Sequence, residues 1–254
     1  MDKESIFNYI IATLCTILII MIIYTGYQHI KFKKNYIPHN SINVSPITGE
    51  RLSDVYNNNE LPVEVTYIDV YENGSISGIS KADIVYEFLN EDYKVNYKAI
   101  FYNFFPSNNY PISSICKVQL EALPKFKFKD IIDVEKSSKD AQYIFANFNN
   151  LHSSNFVYKD GVYEHFLDTY PHIDNLNNEI VKSTNVIVQF VNNDSSGDTS
   201  GKGLLFLGGK VIEIEWKKDK GKIKLNDLNG NEISIIKGNT WWIITDKNNS
   251  IVYK

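Results

Sequence analysis

From Ile6 to Tyr27 the chain reads IFNYIIATLCTILIIMIIYTGY, without one Asp, Glu, Lys or Arg. At the rise of an α-helix, roughly twenty such residues cross the ~30 Å hydrocarbon core of a bilayer. The apolar character runs all round the helix and leaves no polar stripe, which disfavours a buried core helix. The segment therefore predicts a membrane span. A cleaved signal peptide would have a shorter apolar core and small residues at its cut, and Tyr24-Thr25-Gly26-Tyr27 makes a poor cleavage site. Cys15 follows Thr13-Leu14 in mid-segment, which argues against lipidation there. The expectation is an uncleaved signal anchor over residues 1–34, with the membrane as its partner. Lys31, Lys33 and Lys34 would place the C-terminal domain in the cytoplasm by the positive-inside rule. A short N-terminus that stays inside would place that domain outside.

The chain has 254 residues, so the part beyond the anchor has room for one large domain or two small ones. Aromatic residues make up 13% of it, which excludes a disordered composition. A formal net charge of −4 offers no basic stripe for nucleic acid. Of the two cysteines, Cys15 lies in the hydrophobic segment and Cys116 far beyond it, so no disulfide framework or thiolate zinc cluster is expected. No cofactor or metal is implied.

Residues 35–61 look like a linker leading into the domain, with turn chemistry at Ser45-Pro46-Ile47-Thr48-Gly49 and Asn57-Asn58-Asn59. Residues 62–151 read as a mixed α/β half. Pro62–Tyr71 and Tyr97–Phe105 are strand-like. Ser80-Lys81-Ala82-Asp83 before Ile84, Val85, Phe88 and Leu89 reads as a helix start capped by Ser80. Val118–Leu123 reads as a short helix. Ala141, Ile144, Phe145 and Phe148 have helical spacing within 139–151. Residues 152–254 read as an antiparallel β-rich half. Asn185–Val191 is a strand, Gly208-Gly209 and Asn229-Gly230 mark hairpins, and Thr240–Thr245 closes the meander. Ile212, Ile214 and Trp216 share one face of a half-buried strand. The fold class expected is α+β.

Four constellations are candidates for chemistry. Ser113-Ser114 beside Cys116 lacks a nucleophile elbow and reads as a polar turn with a buried thiol. His152, His165 and His172 cluster with Asp168 and Asp174. On a strand His172 and Asp174 would share a face, as a metal site requires, yet no His pair has the helical i, i+4 spacing, and turn structure is the plainer reading. Asp83, Tyr86 and Glu87 fall within one predicted helical turn, where paired carboxylates serve acid–base chemistry or simply favour the helix dipole. Trp216, Trp241 and Trp242 lie on adjacent predicted strands. Trp241 and Trp242 point to opposite faces, which makes one of them a candidate for exposure to a ligand.

Gly78-Ile79-Ser80-Lys81-Ala82-Asp83-Ile84-Val85-Tyr86-Glu87 resembles the signature of the YerB-like lipoproteins of Gram-positive bacteria, a family of unknown function. Ser45-Pro46-Ile47-Thr48-Gly49, Asn185-Val186-Ile187-Val188-Gln189, Gly208-Gly209-Lys210, Trp216-Lys217-Lys218 and Gly238-Asn239-Thr240-Trp241 are similar to other segments of that family, in the same order. The resemblance runs from Val44 to the C-terminus. Tyr170-Pro171-His172-Ile173-Asp174 is retained. Two family arginines are replaced by Ser113 and Cys116 and a third by His165, a Pro-His-Asn segment has no counterpart, and the chain is shortened between Phe128 and Lys139. If the family's cleft binds an anion through arginine, that activity is lost or changed here.

The resemblance implies an extracytoplasmic domain on the single-pass anchor, at the cell membrane. The expected function is a non-enzymatic binding or scaffold protein of the cell envelope, its partner an envelope protein or cell-wall glycan. Its expected ligand-binding residues are Asp83, Tyr86, Glu87, His172, Asp174 and Trp241. The alternative is a cell-wall hydrolase or carbohydrate-active enzyme working through Asp83, Glu87 or the His172–Asp174 pair.

Overall fold

The computed structural model describes Met21, Tyr24 and residues 44–52, 61–71, 76–102, 104, 114–130, 138–149, 151–192, 197–219 and 221–254. The chain divides into two units, Met1–Asn43 and Val44–Lys254. In the first, the described residues are Met21 and Tyr24, both helical and exposed.

The second unit is built from strands. They are β1 (Val63–Tyr67), β2 (Ile84–Leu89), β3 (Val95–Phe101), β4 (Ser114–Lys117), β5 (Lys127–Lys129), β6 (Lys139–Asp140) and β7 (Tyr143–Asn147). Next come β8 (Ser153–Lys159), β9 (Val162–Leu167), β10 (Tyr170–Pro171), β11 (Ile173–Asp174), β12 (Glu179–Ile180) and β13 (Lys182–Ser183). The last are β14 (Asn185–Val191), β15 (Ser200–Leu207), β16 (Lys210–Asp219), β17 (Lys222–Asn226), β18 (Ser234–Ile236), β19 (Thr240–Asp246) and β20 (Ile251–Tyr253). A ten-stranded sheet runs β17-β16-β15-β14-β19-β2-β3-β1-β4, with β6 on β16. Its central strands β14, β19 and β2 are parallel and its other pairs antiparallel. A second sheet runs β10-β9-β8-β7-β20, with β13 on β9. Two-stranded ribbons join β11 to β12 and β5 to β18.

Hydrophobic patterning explains the layering. The central strands carry near-continuous apolar runs, as strands covered on both faces do. On one face Val65, Tyr97, Val186, Phe206 and Trp241 pack with Ile144, Phe156 and Tyr163 of the second sheet. On the other, Ile187, Leu205 and Trp242 pack with Ile235 and Phe128 of the β5–β18 ribbon. Ile84 and Ile100 on that face are covered by Ile47, Leu52 and Leu123. The Ser45–Gly49 turn therefore belongs to the core. The Ser45 hydroxyl accepts the amides of Ile47 and Thr48, which fixes the turn that inserts Ile47.

Several expectations are corrected. The fold is almost entirely β, not α+β, and no α-helix occurs among the described residues of 44–254. The predicted helix after Ser80 is a 3-10 turn, Ile79–Lys81, that leads straight into β2. A strand buried on both faces loses the two-residue alternation that tells it from a helix. The predicted helix within 139–151 is β6 and β7. There Ile144 and Ala146 point inward while Tyr143 and Phe145 are exposed, so the apparent helical spacing mixed two faces of one strand. Val118–Leu123 holds a single 3-10 turn, Leu120–Ala122. Cys116 is not buried: it lies exposed with Ser114 on the edge strand β4, while Ser113 is outside the described residues. The Asn229-Gly230 turn closes a short hairpin, with Asn226 bridged to Glu232 and the Ile233 amide donating to the Leu225 carbonyl, before β18 leaves to pair in parallel with β5.

The predicted span Ile6–Tyr27 lies, apart from Met21 and Tyr24, outside the described residues. Among the described residues no helix is long and apolar enough to cross a membrane. The expected spanning helix, and with it the membrane partner and the single-pass cell-membrane location drawn from it, thus find no support among the described residues.

Gly238 joins β18 to β19 with φ +130°, and a Cβ there would collide with the Thr184 side chain. Its amide also donates to the Thr48 carbonyl at 2.9 Å, tying the Ser45–Gly49 turn to the sheet. Gly238→Ala should destabilise the fold by about 2 kcal/mol in denaturant melts.

Candidate functional site

Between the two sheets, in an otherwise apolar layer, lies a chain of polar side chains. Glu87 and Trp241 come from neighbouring parallel strands of the large sheet, and Tyr97 faces Glu87 from β3. Ser154 and His165 come from β8 and β9 of the small sheet. These two strands are joined by the tight Asp160-Gly161 turn, whose residues both take positive φ. The register it sets pairs Phe156 with His165 and Ser154 with Leu167, so Ser154 and His165 become diagonal neighbours on the inward face. His172 sits just beyond β10. Its amide donates to the His165 carbonyl, and its carbonyl accepts the amide of Val181.

The contacts are continuous. The Trp241 indole donates to Glu87 Oε2 at 2.6 Å. The Ser154 hydroxyl donates to the same oxygen at 2.8 Å. Ser154 Oγ and His165 Nε2 are 2.7 Å apart, and His165 Nδ1 and His172 Nδ1 are 2.8 Å apart. His165 is stacked on Phe156 and lies against Trp241. Glu87, Ser154 and His165 are each 0% exposed and His172 3%.

Burial dominates the electrostatics. It pushes the Glu87 carboxyl up to about 7, while the donors Trp241, Ser154 and Tyr97 pull the other way. Burial holds the His165 imidazole well below its ordinary value, with His172 beside it adding to the effect. Burial lowers His172 to about 4, against the pull of Asp174. Both rings are thus kept neutral. Burial and the nearby Glu87 raise the Tyr97 phenol. Its hydroxyl and Glu87 Oε1 have no partner within hydrogen-bond geometry, and neither has His172 Nε2.

Of the residues marked in the sequence, three meet here: Glu87, His172 and Trp241. The other three stand apart. The Asp83 carboxylate accepts the Tyr102 amide at 2.6 Å and fastens β2 to the end of β3. Tyr86 points to the opposite face of the sheet, against Trp242. Asp174 accepts the amides of Gly78 and Ser80 at 2.7 and 2.8 Å, and that of Leu176 at 2.8 Å. Although burial opposes it, these bonds hold its carboxyl below the ordinary range. Trp241 and Trp242 do point to opposite faces, but both are buried, as is Trp216, because each face of the sheet is covered. No indole is exposed as a stacking platform. Among the described residues no group of three His, Cys, Asp or Glu is placed to hold a metal. Ser154 was not marked in the sequence, and His165 only as a member of the histidine cluster and a changed arginine position. The Asp160-Gly161 hairpin signal would have brought them together.

An open groove of about 970 Å³ lies where the carboxyl ends of the parallel strands β2, β14 and β19 converge. Phe88, Leu89, Val191 and Ile244 give it an apolar floor, and Tyr93, Lys98, Asn248 and Asp246 lie around it. Asp246 Oδ1 accepts the Asn248 amide, while the buried Oδ2 has no partner.

Residues 143–242 match the family model described as Protein of unknown function (DUF3048) C-terminal domain. That segment holds Ser154, His165, His172 and Trp241, while Glu87 precedes it. Among solved structures the chain is similar to the YerB protein from Bacillus subtilis, with a TM-score of 0.63 and 18% identity, over 82% of this chain and 99% of that one. At that identity the likeness is one of fold. No curated protein matches the chain. The two matches support the resemblance to YerB-like proteins of unknown function.

The unfolded Glu87 carboxyl ionises near 4.5 and the folded one near 7. Between these values the unfolded chain has released a proton that the folded chain keeps, so stability falls as pH rises through the window and levels off above it. The histidines act in the opposite sense, losing stability as pH falls from 6.5 toward about 4. Glu87→Gln removes the first effect. Its gain in stability over the parent should be about 3 kcal/mol larger at pH 8 than at pH 5. Equal differences at the two pH values would refute the raised carboxyl. Asp174→Ala should cost about 2 kcal/mol at pH 7, read by denaturant melts, because one buried and two part-buried amides lose a charged acceptor.

Proposed function

We propose that this chain is a non-catalytic binding protein, and that its ligand seats in the groove at the carboxyl ends of β2, β14 and β19. The observation that carries this reading is the separation of the two polar regions. The converging titratable groups are sealed between the sheets, whereas the open groove pairs an apolar floor with hydrogen-bonding side chains at its rim. A substrate cannot reach Ser154, and the order of contacts is not that of a nucleophile, since the hydroxyl touches both the carboxylate and the imidazole. In a hydrolytic triad the imidazole lies between the other two. Asp83 and Asp174, the other acids of the enzymatic reading, are occupied with backbone amides.

The lining selects an uncharged ligand with an apolar face and hydrogen-bonding groups. Phe88, Leu89 and Ile244 would take the apolar face, and the Asn90, Lys98 and Asn248 side chains at the rim would hydrogen-bond its polar groups. Backbone spectra of the 15N-labelled chain, titrated with N-acetylated chitotriose and with a blocked neutral tripeptide, test this. Shifts clustered at Asn90, Lys98, Asp246 and Asn248 from either probe are expected. Asn248→Ala removes a hydrogen-bonding side chain from the rim and leaves the apolar floor in place, so it should weaken binding about fivefold. Shifts scattered over the surface, or none from either probe, would overturn the assignment.

A further inference from the structure

The inter-sheet chain has a direction, and hydrogen-bond logic restricts it to two arrangements. With Glu87 ionised, Oε2 accepts from both Trp241 and Ser154. Ser154 has a single proton, so its Oγ must then accept from His165 Nε2–H. His165 Nδ1 is left bare and accepts from His172 Nδ1–H, and His172 Nε2 ends the chain as an unpartnered acceptor. In the second arrangement every proton has moved one place. Glu87 Oε2–H donates to Ser154, Ser154 donates to His165 Nε2, His165 Nδ1–H donates to His172 Nδ1, and His172 Nε2 carries a proton.

We propose that Glu87, Ser154, His165 and His172 form a proton relay between His172 Nε2 and the core carboxylate, in which both histidines exchange tautomers as the proton passes. The balance is complete. One proton enters from solvent at Nε2, one arrives at Glu87, each intervening group gains one and gives one, and both rings stay neutral throughout. Neutrality is what the surroundings demand. His165 lies between Phe156, Trp241 and His172, where an imidazolium would have no counter-ion in contact. The chain also has an outer end: His172 Nε2 is buried without a partner, on a residue whose neighbours Pro171 and Ile173 are exposed.

The groups facing the relay do not short-circuit it. Around Glu87 they are Trp241 from β19, Tyr97 from β3 and Ser154 from β8, with Tyr71 close enough to feel its charge. Trp241 can only donate, and the Tyr97 phenol, which also acts on the carboxyl, is pushed up by burial and by Glu87 and so keeps its proton. Around His172 they are Tyr97 and Asp174, and the carboxylate of Asp174 is held by three backbone amides. Asp168 acts on Tyr71 and Tyr97 at a distance.

Two-bond 1H–15N spectra of the full chain with 15N-labelled histidine, at pH 5.5 and pH 8.5, read the tautomers directly. The protonated nitrogen of His165 should change from Nε2 at high pH to Nδ1 at low pH. That of His172 should change from Nδ1 to Nε2, with the same midpoint. Glu87→Gln should freeze both rings in the high-pH tautomer, and Ser154→Ala should abolish the exchange by cutting the chain in its middle. His152, outside the relay, serves as the control. Tautomers unchanged between the two pH values would place the Glu87 proton on Oε1 beside Tyr97 and overturn the relay. So would both rings becoming imidazolium together, or exchange that survives in Glu87→Gln. Should Ser154→Ala fail to fold, the parent and Glu87→Gln spectra decide the matter by themselves.

Discussion

Strand β19 is the constraint on which the rest of the unit depends. It pairs in parallel on both sides, with β14 and with β2, and it carries Trp241 and Trp242 side by side. Neighbouring residues on a strand face opposite ways. One indole therefore commits one face of the large sheet to burial, and the next commits the other. The remaining layers of the unit act as cover. The six-stranded sheet lies over Trp241, and the β5–β18 ribbon with the 45–52 segment lies over the face that holds Trp242.

A cover that brings polar groups into an apolar layer must also satisfy them. Ser154 and His165 arrive on the small sheet where Glu87 and the Trp241 indole need partners, and each supplies what the other lacks. Satisfaction is incomplete at Glu87 Oε1, Tyr97 Oη and His172 Nε2. These orphan atoms sit at the two ends of the hydrogen-bonded chain, where a proton can be held or released. The same low dielectric that raises the carboxyl keeps both imidazoles neutral, so the acid and the bases of one network titrate in opposite senses.

Much of the strand content could be read in the sequence, because turn chemistry is local. Gly208-Gly209 joins β15 to β16, and both glycines take the positive φ that the turn needs. The opposed faces of Trp241 and Trp242 were equally legible. Their shared burial was not, since a strand does not reveal how many layers cover it. The failed helices share that cause. Ile84–Leu89 is apolar on both sides because two layers meet it, and Phe145 misled because it is an exposed aromatic. For the polar layer, Glu87, His172 and Trp241 were each marked for separate reasons, and their meeting depends on pairings distant in sequence. Asp83 and Asp174 were marked with them and are structural ties, whereas Tyr86 packs on Trp242 and lines the open groove.

The pairing of β2 with β19 has a kinetic side. The Trp241–Glu87 bond joins residues 154 positions apart. The centre of the large sheet therefore cannot close until nearly the whole unit has been gathered, and the entropy of closing so long a loop precedes most of the contacts that offset it. Until β19 slots between β2 and β14, each of those strands presents an unpaired, strongly apolar edge. The unit belongs among slow, topologically complex folders, and the interval before β19 inserts is when such a chain is most prone to aggregate.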